Sequence, residues 1–143
     1  MSRRYSFVVE GHLPPKKDGA NSMWGKSSER VSLVQLRTAA YQALGAQGPL
    51  TNRIRLVLEI HSLKETSGRI GDLDNFIAGI CDGLMAASPR TPIDDDWNHH
   101  EIKEIHPSRT IAIVDDSEVV LIEARKLVDA SGEPWYRVEL EGE

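Results

Sequence analysis

The sequence predicts an α/β (α+β) fold, a single domain in which two main helices pack on a small mixed sheet. At 143 residues, the chain is close to the commonest domain size and can bury one core. Its content of 40% hydrophobic and 27% charged residues is ordinary for a globular protein. Strand-like and helix-like patterns alternate along the chain, which favours helices on a sheet. We therefore expect one domain over residues 1–143.

The first half of the chain predicts a strand, a loop and a helix. Residues 5–10 are rich in β-forming side chains, and glycine, proline and basic residues over positions 11–21 interrupt that pattern with a long polar loop. From about residue 32 to residue 44, apolar side chains recur at three- and four-residue spacing. This spacing predicts an amphipathic helix whose apolar face holds Leu33, Leu36, Ala39, Ala40, Ala43 and Leu44.

The second half predicts a strand, a helix and then further strands. Branched residues over positions 54–60 indicate the first of these strands. A helix that starts at Asp72 or Asp74 has an apolar face formed by Phe76, Ile77, Ile80, Cys81, Leu84 and Met85. Later strands are expected over residues 119–124 and 135–140, and around Ile102, Ile105, Ile111 and Ile113.

Two features of the sequence indicate the compartment. No apolar run approaches the roughly 20 residues needed to span a membrane, and the first residues lack the apolar core of a secretory signal. Cys81 is the only cysteine, so no intramolecular disulfide can form and a reducing compartment is expected. We therefore expect a cytoplasmic protein with no membrane partner.

Charge is distributed unevenly along a chain of net charge −5. Residues 1–71 hold eleven Lys or Arg against five acids, a net +6, so the remainder carries −11. This asymmetry fits a phosphate-binding face beside an acidic metal-binding face, and equally a solvated surface with chance clustering. The candidate phosphate-binding residues are Lys16, Lys17, Lys26 and Arg30.

Aspartates occur in two separate groups that suit a magnesium site. Asp72 and Asp74 lie at the start of the second predicted helix, and Asp94, Asp95 and Asp96 form a run farther along. Hydrolysis of a phosphodiester needs a metal that neutralises charge and activates water, and Mg²⁺ binds a few carboxylates while keeping several waters. We therefore predict a Mg²⁺ site, with Mn²⁺ as a substitute, formed by the first pair and a member of the run.

The aspartates, and the histidines and cysteine near them in the sequence, have alternative structural or chemical roles. A helix cap is an alternative role for Asp72. A calcium loop starting at Asp94 fails because its sixth and twelfth positions are His99 and Ile105 rather than glycine and glutamate. A zinc site at His99 and His100 is disfavoured, since neighbours on a strand point to opposite faces. A nucleophilic role for Cys81 is also disfavoured, because it falls on the apolar face of its helix.

The acidic motif resembles the RusA family of Holliday junction resolvases, whose pattern is D-x-D-N-x-x-K-x-x-x-D-x-L followed by D-D. The matching residues are Asp72-Leu-Asp74-Asn75, Asp82-Gly-Leu84 and Asp95-Asp96, with apolar Ile102 after them. The first strand, Phe7-Val-Val-Glu-Gly11, and the loop residues Pro14-Pro15-Lys16 and Asn21 are also similar to the family. The resemblance spans roughly residues 5–106.

The resemblance implies a homodimeric, magnesium-dependent endonuclease that resolves four-way DNA junctions by paired nicks in recombination and repair. By this resemblance the catalytic residues are Asp72, Asp74, Asp95 and Asp96, the metal ligands are Asp72, Asp74 and Asp96, and Asn75 and Asp82 support the site. The family's lysine position is Ala78 here. Lys16, Lys17 or Arg69 could supply the missing charge. A catalytically impaired protein that binds branched DNA is the alternative, and an acidic interaction protein is the third interpretation.

Overall fold

The computed structural model describes residues 2–18, 22–63 and 73–143. Within them the chain forms a four-stranded mixed sheet and two main helices, which confirms the predicted α+β fold. None of the helices in these ranges is long and apolar enough to cross a membrane. The main elements in chain order are β1 (Arg3–Glu10), α1 (Arg30–Leu44), β2 (Ile54–His61), α2 (Leu73–Leu84), β3 (Val119–Leu127) and β4 (Trp135–Gly142).

The strand order is β1-β4-β2-β3. Strand β4 pairs antiparallel with both β1 and β2, whereas β2 and β3 are parallel neighbours. Parallel neighbours need a crossover connection, and α2 lies in the one between β2 and β3. The topology therefore places the acidic motif of α2 in the connection that leads to the first residues of β3.

The core lies between the two helices and one face of the sheet. Alternate residues of the strands point to this face, as the two-residue period of a strand requires. The predicted apolar face of α1 is buried at Leu33, Leu36, Ala40 and Leu44, and that of α2 at Phe76, Ile80, Cys81 and Leu84. The strands contribute Phe7, Val9, Leu56, Leu58, Ile60, Val138 and Leu140.

The expected strands around Ile102, Ile105, Ile111 and Ile113 are wrong. This region instead contains short 3₁₀ helices over Asp95–His99, Lys103–Ile105 and Asp116–Glu118, joined by turns. The backbone N–H groups of Ile111 and Ile113 donate to the carbonyl of Leu84 at the end of α2, both over 3.2 Å, so they are not available for a long strand ladder. Ile113 forms only an isolated bridge, with Leu50.

The same region forms a second small core with α1. Its buried residues are Met23, Trp24, Leu33, Trp97 and Ile105. The apolar residues of this small core are therefore buried, although the segment after α2 forms 3₁₀ helices and turns instead of strands. His99 ends a 3₁₀ helix and His100 follows it, so the strand geometry expected for this pair is also wrong.

Arg37 joins this segment to α1 and is fully buried. Its guanidinium donates to the carbonyls of Gly83, Met85, Ile105, His106 and Arg109, over 2.6–2.9 Å. The Trp24 ring centroid lies 5.1 Å from the guanidinium carbon. Burial lowers the pKa of Arg37 to about 9, which keeps it charged at neutral pH. The carbonyl dipoles therefore replace water around a cation that no carboxylate neutralises within the described residues.

Arginines and glutamates alternate across the outer face of the sheet, which the helices leave open. Glu59 on β2 lies between Arg125 on β3 and Arg137 on β4. Its Oε2 accepts a hydrogen bond from Arg125 Nε over 2.9 Å, and its Oε1 accepts one from Arg137 Nε over 2.8 Å. These bonds, first from Arg125 and then from Arg137, hold the pKa of Glu59 below its ordinary value of 4.5.

We expect Glu59→Gln to lower the free energy of unfolding by about 1 kcal/mol at pH 7, because an amide cannot pair with two cations. A lowered folded-state pKa contributes stability above pH 4.5 that is lost as the pH falls below it. The difference from wild type should therefore be smaller at pH 3 than at pH 7, as measured by urea unfolding at the two pH values. Glu123→Gln is the control, since Glu123 is exposed and forms a long ion pair with Arg55, at 3.4 Å. An equal loss at both pH values would contradict the assignment.

Candidate functional site

One cleft brings the acidic face of α2 together with the start of β3. The cavity has a volume of about 430 Å³. Its α2 wall consists of Asp74, Ile77, Ala78, Cys81 and Asp82, which are spaced by three or four residues and so share one helix face. The other lining residues are Lys17 from the loop after β1, Asp116 from the turn before β3, and Val119 and Ile122 from β3. The cleft thus has an apolar floor, carboxylates and one lysine.

Asp74 and Asp82 lie at opposite ends of the α2 wall. Asp74 is the second residue of the helix, is exposed, and its Oδ1 accepts the N–H of Asn75 over 3.1 Å. Asp82 is eight residues on, about 12 Å along the axis of an α-helix. The two carboxylates therefore cannot bind one ion together, and Asp82 is instead paired with Lys17, with Nζ and Oδ2 2.5 Å apart.

Asp116 reaches the cleft from a capped turn. The side chain of Asp115 accepts the backbone N–H of Ser117 over 3.0 Å, and this contact caps the 3₁₀ helix Asp116–Glu118. Hydrogen bonding from Ser117 lowers the pKa of Asp115. The cap fixes the turn that carries Asp116, which is exposed and lines the cavity.

The thiol of Cys81 lies in the cleft and has a raised pKa. Burial raises the pKa of its thiol to about 11, with smaller contributions from the carboxylates of Asp116 and Asp82. Both acids therefore lie within electrostatic reach of the same buried side chain. A thiol with this pKa stays protonated at neutral pH, which argues against a nucleophilic cysteine.

Lys17 is held over the cleft by the backbone of its own loop. The N–H of Lys17 donates to the carbonyl of Asn75 in the first turn of α2 over 3.1 Å. A Cβ on Gly79 would come within 1.9 Å of the Pro15 carbonyl oxygen, so only glycine allows this close approach of loop and helix. The N–H of Lys16 donates to Glu29 Oε1 over 2.8 Å and ties the loop to the start of α1. Lys17 therefore supplies a cation beside Ala78.

The acidic run lies outside this cleft. Asp96 lines a separate cavity with Arg30, Val34, Trp97, His99 and His100, and it forms an ion pair with Arg30. Asp94 caps the 3₁₀ helix by accepting the N–H of Asp96 over 3.2 Å, and it also pairs with Arg30. Asp96 and Asp74 therefore line different cavities, and Arg30, a predicted DNA contact, is paired with carboxylates of its own chain.

Asp95 is an exposed residue of the same turn. It accepts a hydrogen bond from Asn98 Nδ2 over 3.1 Å, and its Oδ2 lies 3.0 Å from His99 Nε2. These contacts, with Asn98 first, lower its pKa. They are local contacts within one turn, and Asp95 does not line the cleft beside α2.

Some of the remaining predicted site residues lie within the described part of the chain, and others do not. Asp72, Asn21 and Arg69 lie outside the described residues. Lys26 is exposed in a bend before α1. Asn75 reaches the site through its carbonyl, which positions Lys17.

The carboxylates of the cleft can be compared with the needs of a magnesium ion. Among the described residues, no group of three or more His, Cys, Asp or Glu is placed to hold a metal. Mg²⁺ needs fewer protein ligands, because it binds through one or two carboxylates and keeps several waters. Asp74 and Asp116 form no ion pair within the described part of the chain, so their hard oxygen donors suit that requirement.

Asp116 is the cleft residue that the sequence prediction missed. Asp115-Asp116 is a second doublet that fits the D-D of the family pattern, and it directly precedes the branched residues of the strand predicted over 119–124. Its place immediately before a strand adjacent to the crossover was the signal that could have identified it. No protein-family model matches the chain, and no curated protein matches it either.

Proposed function

We propose that this protein is a magnesium-dependent endonuclease that cuts four-way or branched DNA in recombination and repair. The observation that carries the proposal is the cleft in which Asp74 and Asp116 lie with Lys17 over an apolar floor. The resemblance of Asp72-Leu-Asp74-Asn75 and Asp82-Gly-Leu84 to the RusA family supplies the substrate class. The cleft and the sequence resemblance both involve the helix α2.

Asp74 and Asp116 would hold Mg²⁺, or Mn²⁺ in its place. When bound, the ion neutralises charge on the phosphoryl oxygens and makes a water nucleophilic near neutral pH. Asp72 belongs to the same sequence motif as Asp74 and remains a proposed ligand. The second acidic ligand of the proposal is Asp116 rather than Asp96, because Asp116 lines the same cavity as Asp74.

Lys17 would bind an oxygen of the scissile phosphate. Its ammonium group lies in the cleft, and Asp82 holds it there through the ion pair. Such a preformed cation costs little reorganisation when negative charge develops in the transition state. Lys17 would thus supply the positive charge that Ala78, at the family's lysine position, lacks.

The proposed acting form is a homodimer. Paired nicks in a four-way junction need two equivalent sites related by a two-fold axis, and closed two-fold dimers are the commonest way to supply them. Each chain would contribute one cleft of the kind described above.

The proposal is tested with a fluorescently labelled four-way junction, incubated with the protein in Mg²⁺, in Mn²⁺ and in EDTA. We expect paired nicks in either metal and none in EDTA, and we expect Asp74→Asn to bind the junction without cutting it. Tight junction binding without cleavage by the wild type would support the binding-only alternative. Absence of binding at low salt would support the acidic interaction protein, since phosphate contacts strengthen as salt falls.

A further inference from the structure

A second cavity adjoins the cleft and has a different chemistry. Its volume is about 440 Å³, and it shares Lys17 and Asp82 with the cleft, so this ion pair forms a common wall. Beyond that wall its lining includes three residues with hydroxyl side chains, Ser22, Ser88 and Thr91. Asp82 is the one carboxylate of its lining, and Lys17 already neutralises it.

The hydroxyls of this second cavity can donate hydrogen bonds. Ser22 Oγ accepts the N–H of Trp24 over 3.2 Å, and Ser88 Oγ accepts the N–H of Arg90 over 3.5 Å. A hydroxyl that accepts a backbone N–H keeps its own proton for another acceptor. The N–H of Thr91 donates to the carbonyl of Ser88 over 2.9 Å, so a closed turn holds these two residues.

The cleft alone is a poor binding site for a polyanion. Among the residues that the structure describes, its lining has three carboxylates, at Asp74, Asp82 and Asp116, and one cation, Lys17. A bound metal would offset part of this charge, but the rest of the strand needs donors elsewhere. Hydroxyl side chains are common contacts to phosphate oxygens. The second cavity offers them on the other side of Lys17.

We propose that the second cavity binds the phosphodiester adjacent to the one in the cleft, so that the DNA strand passes over the Lys17–Asp82 pair. Lys17 then lies between two successive phosphates, and the turn of Ser88 and Thr91 donates to the outer one. This subsite rests on the proposed function for its ligand, DNA, but it predicts binding rather than turnover.

The test adds one negative charge at this turn without disturbing it. An aspartate or an asparagine at position 88 can accept the Arg90 N–H much as serine does, because both side chains form such local turns. Ser88→Asp and Ser88→Asn therefore differ mainly in charge. Ser131→Asp adds the same charge to a different cavity, beside β1 and β4. Thr91→Asp is a second charged variant on the same turn.

Junction binding is measured by fluorescence anisotropy in EDTA, where the proposed enzyme cannot cut. We expect Ser88→Asp and Thr91→Asp to raise Kd about tenfold, as a like charge near a phosphate does at low salt. Ser88→Asn and Ser131→Asp should stay within about twofold of wild type. Equal Kd values for Ser88→Asp and Ser88→Asn, or for Thr91→Asp and wild type, would overturn the subsite.

Measurements of junction binding and of junction cleavage distinguish the subsite proposal from the nuclease proposal. If the wild type does not cut but Ser88→Asp binds tenfold more weakly, the subsite stands and the nuclease proposal fails. If the wild type cuts and neither charged variant changes Kd, the nuclease proposal stands and the subsite fails. A wild type that binds no DNA at low salt would contradict both.

Discussion

We expect Asp116→Asn to lower the rate of junction cleavage in Mg²⁺ by at least about 100-fold. The amide keeps the size of the side chain but removes the negative oxygen that a hard cation prefers. A preorganised electrostatic group of this kind is typically worth about 3–4 kcal/mol in the transition state. Asp116 is exposed, so the substitution should leave the fold intact. The measurement is single-turnover cleavage of the labelled junction.

Asp96→Asn is the matched control for Asp116→Asn. It makes the same chemical change at another exposed aspartate, whose side chain lines the cavity beside Arg30 instead of the cleft. We expect its cleavage rate to stay within about threefold of wild type, since only an exposed ion pair is altered. A large loss with Asp96→Asn and wild-type cleavage by Asp116→Asn would reverse the assignment of the two acidic doublets.

We expect Arg37→Met to lower the free energy of unfolding by about 3–5 kcal/mol, the usual cost when a buried charged group is removed from its partners. Methionine fills much of the volume but donates no hydrogen bond. The five carbonyls that accept from Arg37 would then be left without this donor in a region closed to water. For a domain of this size the loss corresponds to a fall in Tm of roughly 10–15 °C.

Arg55→Met is the control for this prediction. Arg55 is partly exposed and contacts Glu123 at 3.4 Å, so its removal should cost less than about 1 kcal/mol. Arg37→Lys should fall between the two, because an ammonium group has three donors and lacks the planar fork of a guanidinium. Chemical denaturation of the three variants measures the differences. Similar stabilities for Arg37→Met and Arg55→Met would show that the carbonyl cage contributes little.

Local sequence patterns predicted both main helices and the strands of the sheet. The three- and four-residue spacing from Leu33 to Leu44 predicts α1, and the pattern from Phe76 to Leu84 predicts α2, because both helices bury one face. The strands predicted over 54–60, 119–124 and 135–140 are confirmed with slightly longer bounds.

Two features depended on contacts between distant parts of the chain. Ile111 and Ile113 were expected in strands, but their N–H groups donate to the carbonyl of Leu84, 27 or more residues earlier. Arg37 is not among the apolar residues that predict the buried face of α1, yet the segment after α2 folds over it and supplies its acceptors. Spacing along the sequence carries no information about either contact.

The candidate site was predicted in part. The acids of α2 were identified from their spacing, whereas their partner from the second doublet depends on how the long connection after α2 returns to β3. Lys17 was one of several cations that could compensate for Ala78. Its selection depends on the close approach of Pro15 to Gly79, which the sequence does not reveal.

The position of the bound metal shows which aspartates form the metal site. Crystals of the protein soaked in Mn²⁺ would locate the ion by its anomalous scattering, without any assumption about activity. We expect a peak in the cleft between α2 and β3, coordinated by oxygens of Asp74 and Asp116 and absent from Asp116→Asn crystals. A peak at Asp95 and Asp96 in the turn beside Arg30, with none in the cleft, would contradict the account.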